Sequence, residues 1–121
     1  MSLMSFFQTY CETRELHPDA VLRTHYYRNG FRDCVTALEK LAEKDRLEVR
    51  DVNQTHGEVY LLGNGFDCIV TIAQITPIES GIDLKVNYFS FAGLGRPKKK
   101  VVELYKYLDS ALKFKGVSLH P

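Results

Sequence analysis

Apolar side chains recur every three or four positions in two long stretches of the chain. The first stretch covers about residues 31–44. The second begins at Pro97, whose missing N–H costs nothing in the first turn of a helix, and Gly116 marks its end. One apolar stripe in each stretch predicts two amphipathic helices. The stripes are Phe31, Cys34, Val35, Leu38, Leu41 and Ala42 in the first, and Val101, Leu104, Tyr105, Leu108, Ala111 and Leu112 in the second.

Between these helices the apolar residues alternate with polar ones at a period of two. Alternation is strictest over residues 82–88, and it indicates strands that bury one face and leave the other in water. Short turn-forming segments separate the strands, which favours an antiparallel meander. The predicted strands cover residues 47–52, 58–62, 66–75 and 82–88, and an earlier strand covers residues 20–28.

The start of the chain predicts one further element. Residues 1–3 resemble an expression remnant ahead of Met4, so we take residues 4–121 as a single domain. Residues 4–16 place Phe6, Phe7 and Tyr10 on one stripe, which predicts a short N-terminal helix with an aromatic face. The expected fold is an α+β two-layer sandwich: a curved antiparallel sheet of about five strands, with two long helices on one face. The order is β-α-β-β-β-β-α plus the N-terminal helix.

Composition narrows the class of protein. The 121 residues are 45% hydrophobic and 26% charged, which is typical of a globular domain. No stretch approaches the roughly 20 apolar residues of a membrane-spanning helix, and no secretory signal is present, so we expect a cytoplasmic protein without a membrane partner. Cys11, Cys34 and Cys68 are too far apart for a typical zinc or disulfide framework. We predict no metal and no cofactor.

Charge is unevenly distributed although the net charge is only +1. Residues 96–115 hold seven Lys/Arg against two acidic residues, and the segment GLGRPKKK places several cations at the start of the last helix. A helix N-terminus already carries partial positive charge, so cations here indicate a candidate anion site. The alternative is a solvated, charged end of a surface helix. The candidate residues are Gly95, Arg96, Lys98, Lys99 and Lys100.

The face of the sheet that the helices leave uncovered is the second candidate surface. It mixes both signs of charge and has few aromatic residues, so it is a poor platform for nucleic acid. Pairing with a second copy and simple hydration are the open alternatives. The residues expected on this face are Thr24, Tyr26, Arg28, Glu48, Arg50, Asp67, Ile69, Thr71, Asp83, Lys85 and Asn87.

No arrangement of residues in the sequence supports a catalytic site, so no catalytic residue is assigned. Cys34 and Cys68 fall on predicted buried stripes and are expected to be core residues. Cys11 is expected to be half-exposed. His25 lies in the middle of a predicted strand, where we expect a neighbouring side chain to satisfy it.

Two resemblances add to these expectations. The segments GLGRPKKK and LKFKGVSLHP resemble an uncharacterised family of small bacterial cytosolic proteins, a resemblance that implies no activity. Over about residues 20–115 the order of elements resembles the TATA-binding-protein-like architecture, which helix-grip ligand-binding proteins share. A shared architecture does not by itself carry function.

Three functions remain open at this point. The first is a non-enzymatic interaction or ligand-binding module that self-associates. The second is an anion or nucleic-acid binder at the basic helix start, with nucleic acid less favoured because of the low net charge. The third is a small-molecule enzyme or carrier with a pocket between sheet and helices. The candidate partners are therefore a second copy of the chain and an anionic ligand.

Overall fold

The computed structural model describes residues 9–90 and 95–121. Within this part the chain forms seven strands and two α-helices. The strands are β1 (Tyr10–Glu12), β2 (His25–Tyr27), β3 (Glu48–Asn53), β4 (Glu58–Leu62), β5 (Phe66–Thr76), β6 (Glu79–Tyr88) and β7 (Phe114–Val117); the helices are α1 (Phe31–Asp45) and α2 (Arg96–Ala111).

All seven strands belong to one antiparallel sheet, and β6 is its central member. The order across the sheet is β3-β4-β5-β6-β2-β7. On one side, β6 pairs with β5 along nearly its whole length. On the other side it pairs with two short strands: β1 lies opposite Lys85–Asn87 and β2 lies opposite Ser80–Ile82. The two short strands together therefore act as one interrupted strand.

The connecting segment 13–24 leaves the sheet between β1 and β2 and returns to it. It contains a 3-10 turn at Ala20–Leu22, whose N-cap residue Asp19 accepts a hydrogen bond from the Val21 N–H at 3.2 Å. Leu22 is buried in the core. The segment is thus anchored by the buried Leu22 side chain and by its two flanking strands, β1 and β2, which both pair with β6.

Both helices pack on the same face of the sheet. Helix α1 ends at Arg46, which adopts a left-handed conformation and donates its N–H to the Ala42 carbonyl. Helix α2 begins after Gly95, whose φ of 69° lies in the region that favours glycine, and Pro97 occupies its first turn. The core between the layers includes Leu38, Leu41, Val59, Leu61, Cys68, Val70, Ile82, Leu84, Val86, Val101, Leu104 and Leu108.

The main fold prediction is confirmed: the protein is α+β, with an antiparallel sheet and two helices on one face. The helix predicted over residues 31–44 and the strand predicted over residues 58–62 occur within one residue of these bounds. The strand predicted over residues 47–52 is shifted by one residue, and the remaining two meander strands extend by one to three residues beyond their predicted ends. Neither helix of the described residues is long and apolar enough to cross a lipid bilayer.

The predicted N-terminal helix is wrong where the structure describes it. Residues 10–12 form β1, because Cys11 faces the core while Tyr10 and Glu12 face outward, which is the alternation of a strand. Residues 4–8 of that prediction lie outside the described residues. The strand predicted over residues 20–28 is also too long, since its first part is the 3-10 turn and only His25–Tyr27 pair in the sheet.

The sheet has seven strands instead of about five because the two short strands β1 and β7 were not predicted. Strand β7 forms from the tail of the chain and pairs with β2. The N-cap of α1 is Gly30. The side-chain amide of the preceding Asn29 accepts a hydrogen bond from the Lys113 N–H at 2.8 Å, which ties the start of α1 to the end of α2.

Gly57 and Gly65 provide a matched test of how closely the strands pack. Both adopt left-handed conformations, with φ of 67° and 82°. A Cβ at Gly57 would collide with the Ile72 carbonyl oxygen, whereas a Cβ at Gly65 would meet nothing within 4 Å. We expect Gly65→Ala to lower the free energy of unfolding by about 1–2 kcal/mol through backbone strain alone. Gly57→Ala should cost roughly 1–3 kcal/mol more, because the β5 backbone must move. Urea denaturation of the two variants measures this difference, and equal losses would contradict it.

Candidate functional site

The basic start of α2 is the site predicted from the sequence, and its cations point in different directions. Successive residues of a helix are rotated by about 100°, so adjacent lysines do not share a face. Lys98 forms a salt bridge with Asp19 of the connecting segment at 2.6 Å. Lys100 forms one with Glu103 at 3.0 Å. The Arg96 guanidinium lies over the Tyr88 ring, 5.0 Å from its centroid.

Three of the four predicted cations therefore have a partner within the protein. Lys99 is exposed and forms no salt bridge with the described residues. Gly95 leaves open space around its Cα and carries no side-chain cap. The described residues at this helix start do not converge on one point, so they support solvation and internal pairing better than a single anion site.

An open groove lies between the two helices, and Lys100 is on its rim. The groove has a volume of about 780 Å³ and includes the end of α1 and the outward side of α2. It brings Lys100 together with Lys44, Arg46 and Lys106, which come from other turns and other elements. Lys44, Arg46 and Lys106 were not among the residues predicted from the sequence, where Lys100 is grouped with its neighbours in the chain.

The uncovered face of the sheet, called the open face below, has an acidic character. The strand register places the alternate residues of β3 to β6 on it, together with the outward residues of β1. A shallow depression of about 390 Å³ lies where Tyr10, Ile69 and Lys85 meet. Glu79 at the edge of this face is paired with Lys115 of β7 and is left out of the charge count. The other charged residues of this face are Glu12, Glu48, Asp51, Glu58, Asp67 and Asp83 against Arg50 and Lys85, a net charge of −4.

Two residues expected on the open face are buried instead. Thr24 and Tyr26 are 4% and 5% exposed. The Tyr26 hydroxyl donates to the Glu15 carboxylate at 2.7 Å, and the His120 ring lies 4.9 Å from the Tyr26 ring. The connecting segment and the tail after β7 thus cover this corner of the sheet. Ile69 and Tyr10, which is 45% exposed, supply the apolar part of the open face.

Asp83 closes the gap between β1 and β2. Its Oδ1 accepts hydrogen bonds from the hydroxyls of Thr13 and Thr24, each at 2.7 Å. The Thr13 hydroxyl also accepts from the Leu84 N–H at 2.9 Å, and the Tyr105 hydroxyl of α2 lies 3.0 Å from it. Burial raises the pKa of the Asp83 carboxyl above its ordinary value, and the two hydroxyls only partly offset this effect. One carboxylate therefore holds both ends of the connecting segment.

A second buried network joins β2 to α2. His25 Nδ1 and the Tyr27 hydroxyl both lie within hydrogen-bond distance of Asp109 Oδ1, at 2.9 and 2.7 Å. The His25 ring stacks on Tyr105, with centroids 3.6 Å apart and an angle of 7° between the planes. A histidine oriented by a carboxylate is a component of many general-base sites. Here the ring is enclosed by aromatic neighbours, so the contacts confirm the expectation that a neighbour satisfies His25.

The cysteines behave as predicted in their burial. Cys34 and Cys68 are buried and Cys11 is intermediate. Burial raises the pKa of the Cys68 thiol to about 12 and the pKa values of Cys11 and Cys34 to about 11. A nucleophilic cysteine needs the opposite shift. Among residues 9–90 and 95–121, no group of three or more His, Cys, Asp or Glu side chains is arranged to hold a metal ion.

Comparison with protein-family models, with curated proteins and with solved structures finds no match.

We expect Asp83 to make the stability of the protein depend on pH. Since its pKa is raised on folding, the folded state binds this proton more tightly than the unfolded chain. Its favourable contribution is complete below the unfolded pKa and is lost as the pH rises through the folded pKa. Asp83→Asn keeps an acceptor oxygen for both threonines and removes the titration. The free energy of unfolding of the variant minus that of the native protein should therefore be larger at pH 7 than at about pH 4.

Urea denaturation at both pH values measures this change, and a difference between the two proteins that does not vary with pH would contradict it. Asp83→Ala is the control for the hydrogen bonds. It leaves the two threonine hydroxyls without their acceptor, so it should destabilise the fold by about 1–3 kcal/mol at either pH.

Proposed function

We propose that this protein is a non-enzymatic interaction module that self-associates through its open face. The observation that carries the proposal is the separation of charge between the two layers. The open face has a net charge of −4. Helix α2, in the other layer, carries five cations against two carboxylates, a net charge of +3. A molecule with a net charge of only +1 thus has two surfaces of opposite sign.

The arrangement favours stacking from head to tail. The open face and α2 lie on opposite sides of the sheet, so the acidic face of one copy meets the basic helix of the next. A symmetric dimer that joined two open faces would bring like charges together, which is unfavourable. Complementary potentials also accelerate association, and salt weakens this effect.

The size of the open face suggests a weak contact. Five neighbouring strands at a spacing of about 4.8 Å, each contributing about five residues at about 3.3 Å per residue, give a face of about 24 Å by 17 Å, or about 400 Å². This area is about half of the roughly 800 Å² that each partner buries in a standard specific interface. Tyr10, Ile69 and Tyr60 supply limited apolar surface. We expect a reversible association that responds strongly to ionic strength.

The other hypotheses have less support. An acidic open face repels a phosphate backbone, and the cations at the start of α2 do not converge on one point, which weakens the case for a nucleic-acid binder. The proposed TATA-binding-protein-like architecture is supported by the element order β-α-β-β-β-β-α between His25 and Ala111. The resemblance to a small bacterial cytosolic family and a cytoplasmic location stay proposals.

Sedimentation velocity tests the association directly. At about 0.05 M NaCl the average mass should rise above 13.9 kDa as the protein concentration increases, and at about 0.5 M NaCl it should return to the monomer value. The physical reason is screening of exposed charges at distances beyond the Debye length. A strict monomer at every concentration and at low salt would overturn the proposal.

Charge-neutral variants locate the surface. Asp51→Asn with Glu58→Gln removes two exposed carboxylates from the open face and should weaken association at least about threefold. Glu39→Gln with Glu43→Gln makes the same change in net charge on α1, in the helix layer. This control should not weaken association. If both pairs weaken it equally, net charge alone controls the behaviour and the open face is not the interface.

A mixing experiment tests the head-to-tail geometry. The variant Asp51→Asn/Glu58→Gln keeps its basic helix, and Lys99→Glu keeps its open face. In an equimolar mixture the unchanged open face of one variant meets the unchanged helix of the other, so the mixture should associate more tightly than either variant does alone. A mixture that associates no more tightly than the separate variants would contradict head-to-tail stacking.

A further inference from the structure

The groove between the two helices combines an apolar floor with a cationic rim. Leu41 and Leu104 contribute the facing sides of α1 and α2, and Leu47 and Phe66 lie beneath them. Tyr107 completes the floor. Its hydroxyl donates a hydrogen bond to the Ala37 carbonyl at 2.9 Å, which fixes the ring between the helices. The volume of about 780 Å³ falls in the range of small-molecule sites, roughly 300–1,000 Å³.

The cations on the rim lie over the aromatic residues of the floor. Lys100 Nζ is 5.1 Å from the centroid of the Phe66 ring, and Lys44 Nζ is 5.9 Å from that of Tyr107. These distances are typical of cation–π contacts, which hold a charge at a surface while its stem packs below. The positive charges are therefore positioned next to the apolar floor.

The charge balance of the groove favours an anion. Four cations surround it, against the carboxylates of Asp45 and Glu103. Glu103 is the partner of Lys100 at 3.0 Å, and the Glu103 side chain is 65% exposed. No salt bridge within the described residues neutralises the other three cations, which are Lys44, Arg46 and Lys106.

We propose that this groove binds a small molecule with an apolar body and a single anionic headgroup. The body packs on Phe66, Leu104 and Tyr107, and the headgroup takes the place of the Glu103 carboxylate at Lys100. Displacing Glu103 costs little, because an exposed ion pair contributes little stability and the released carboxylate returns to water. The two contacts together select against ligands that have only a charge or only an apolar body.

Anilinonaphthalene sulfonate is a suitable probe because it has an aromatic body, a sulfonate and fluorescence that rises in an apolar site. Titration at a protein concentration where the native chain is monomeric should give saturable binding at one site. Octanoate should compete with the probe. Octanol, which lacks the charge, and inorganic phosphate, which lacks the body, should compete at least about tenfold less well. Competition by phosphate equal to that by octanoate would overturn the proposal in favour of a simple anion site.

Three variants on one helix test the role of the rim. Lys100→Gln should weaken probe binding by roughly fivefold to tenfold, because it removes the cation nearest the floor. Glu103→Gln should strengthen binding by roughly threefold, since the headgroup no longer competes with a carboxylate. Lys99→Gln, which makes the same charge change as Lys100→Gln on an exposed residue outside the groove, should leave binding unchanged.

The pattern of these results decides the proposal. Equal weakening by Lys99→Gln and Lys100→Gln, or no gain from Glu103→Gln, would mean that the probe responds to the general charge of α2. Unchanged thermal midpoints of unfolding show that the variants remain folded. Amide chemical shifts should move near Leu104 and Tyr107 and stay constant on the open face, and shifts confined to the open face would overturn the assignment.

Discussion

The pairing of β6 on both of its edges is the constraint on which the rest of the structure depends. One edge extends the local meander through β5, and the other recruits β1 and β2 from much earlier in the chain. On one face of this strand, the almost fully buried side chains of Ile82, Leu84 and Val86 form the core together with residues of the helices. Asp83, from the same strand, joins the two threonines on the opposite side. A single strand thus fixes the sheet, the core and the route of the connecting segment.

The open face and the helix layer differ in charge because they are subject to different physical requirements. The inner residues of the sheet are set by packing against α1 and α2, which leaves their outward neighbours free to vary in charge. The outward residues are mostly acidic, while the basic residues gather on α2 and around the interhelical groove. The proposed self-association uses the open face of one copy and α2 of the next, whereas the proposed ligand site lies between α1 and α2. The ligand site is therefore tested at a protein concentration where the chain is monomeric.

Local patterns allowed the helices and the meander to be predicted, whereas contacts between distant segments were not accessible. Residues 31–44 and 82–88 are long enough for a period to be recognised. Strands β1 and β2 have three residues each, too few for alternation to be distinguished from a helical stripe. The same limit, that only neighbouring residues can be related from the sequence, applies to the candidate site. Lys98, Lys99 and Lys100 are adjacent in sequence, but helical rotation separates them in space. The groove collects Lys44, Arg46 and Lys106 from separate turns, for which the sequence offers no common signal.

The interrupted strand has a consequence for the order of events during synthesis. Strand β2 ends at Tyr27, and its partner β6 begins only at Glu79, about 50 residues later. At a translation rate of about 5–20 residues per second, the earlier segment waits several seconds for a partner. During this interval α1 and the hairpins from β3 to β5 can form from neighbouring residues, while His25 and Tyr27 have no partner in the sheet. Productive folding on the ribosome is thus expected to proceed from the middle of the chain outward, and a nascent chain stalled before β6 should be a better substrate for chaperones than one stalled after it.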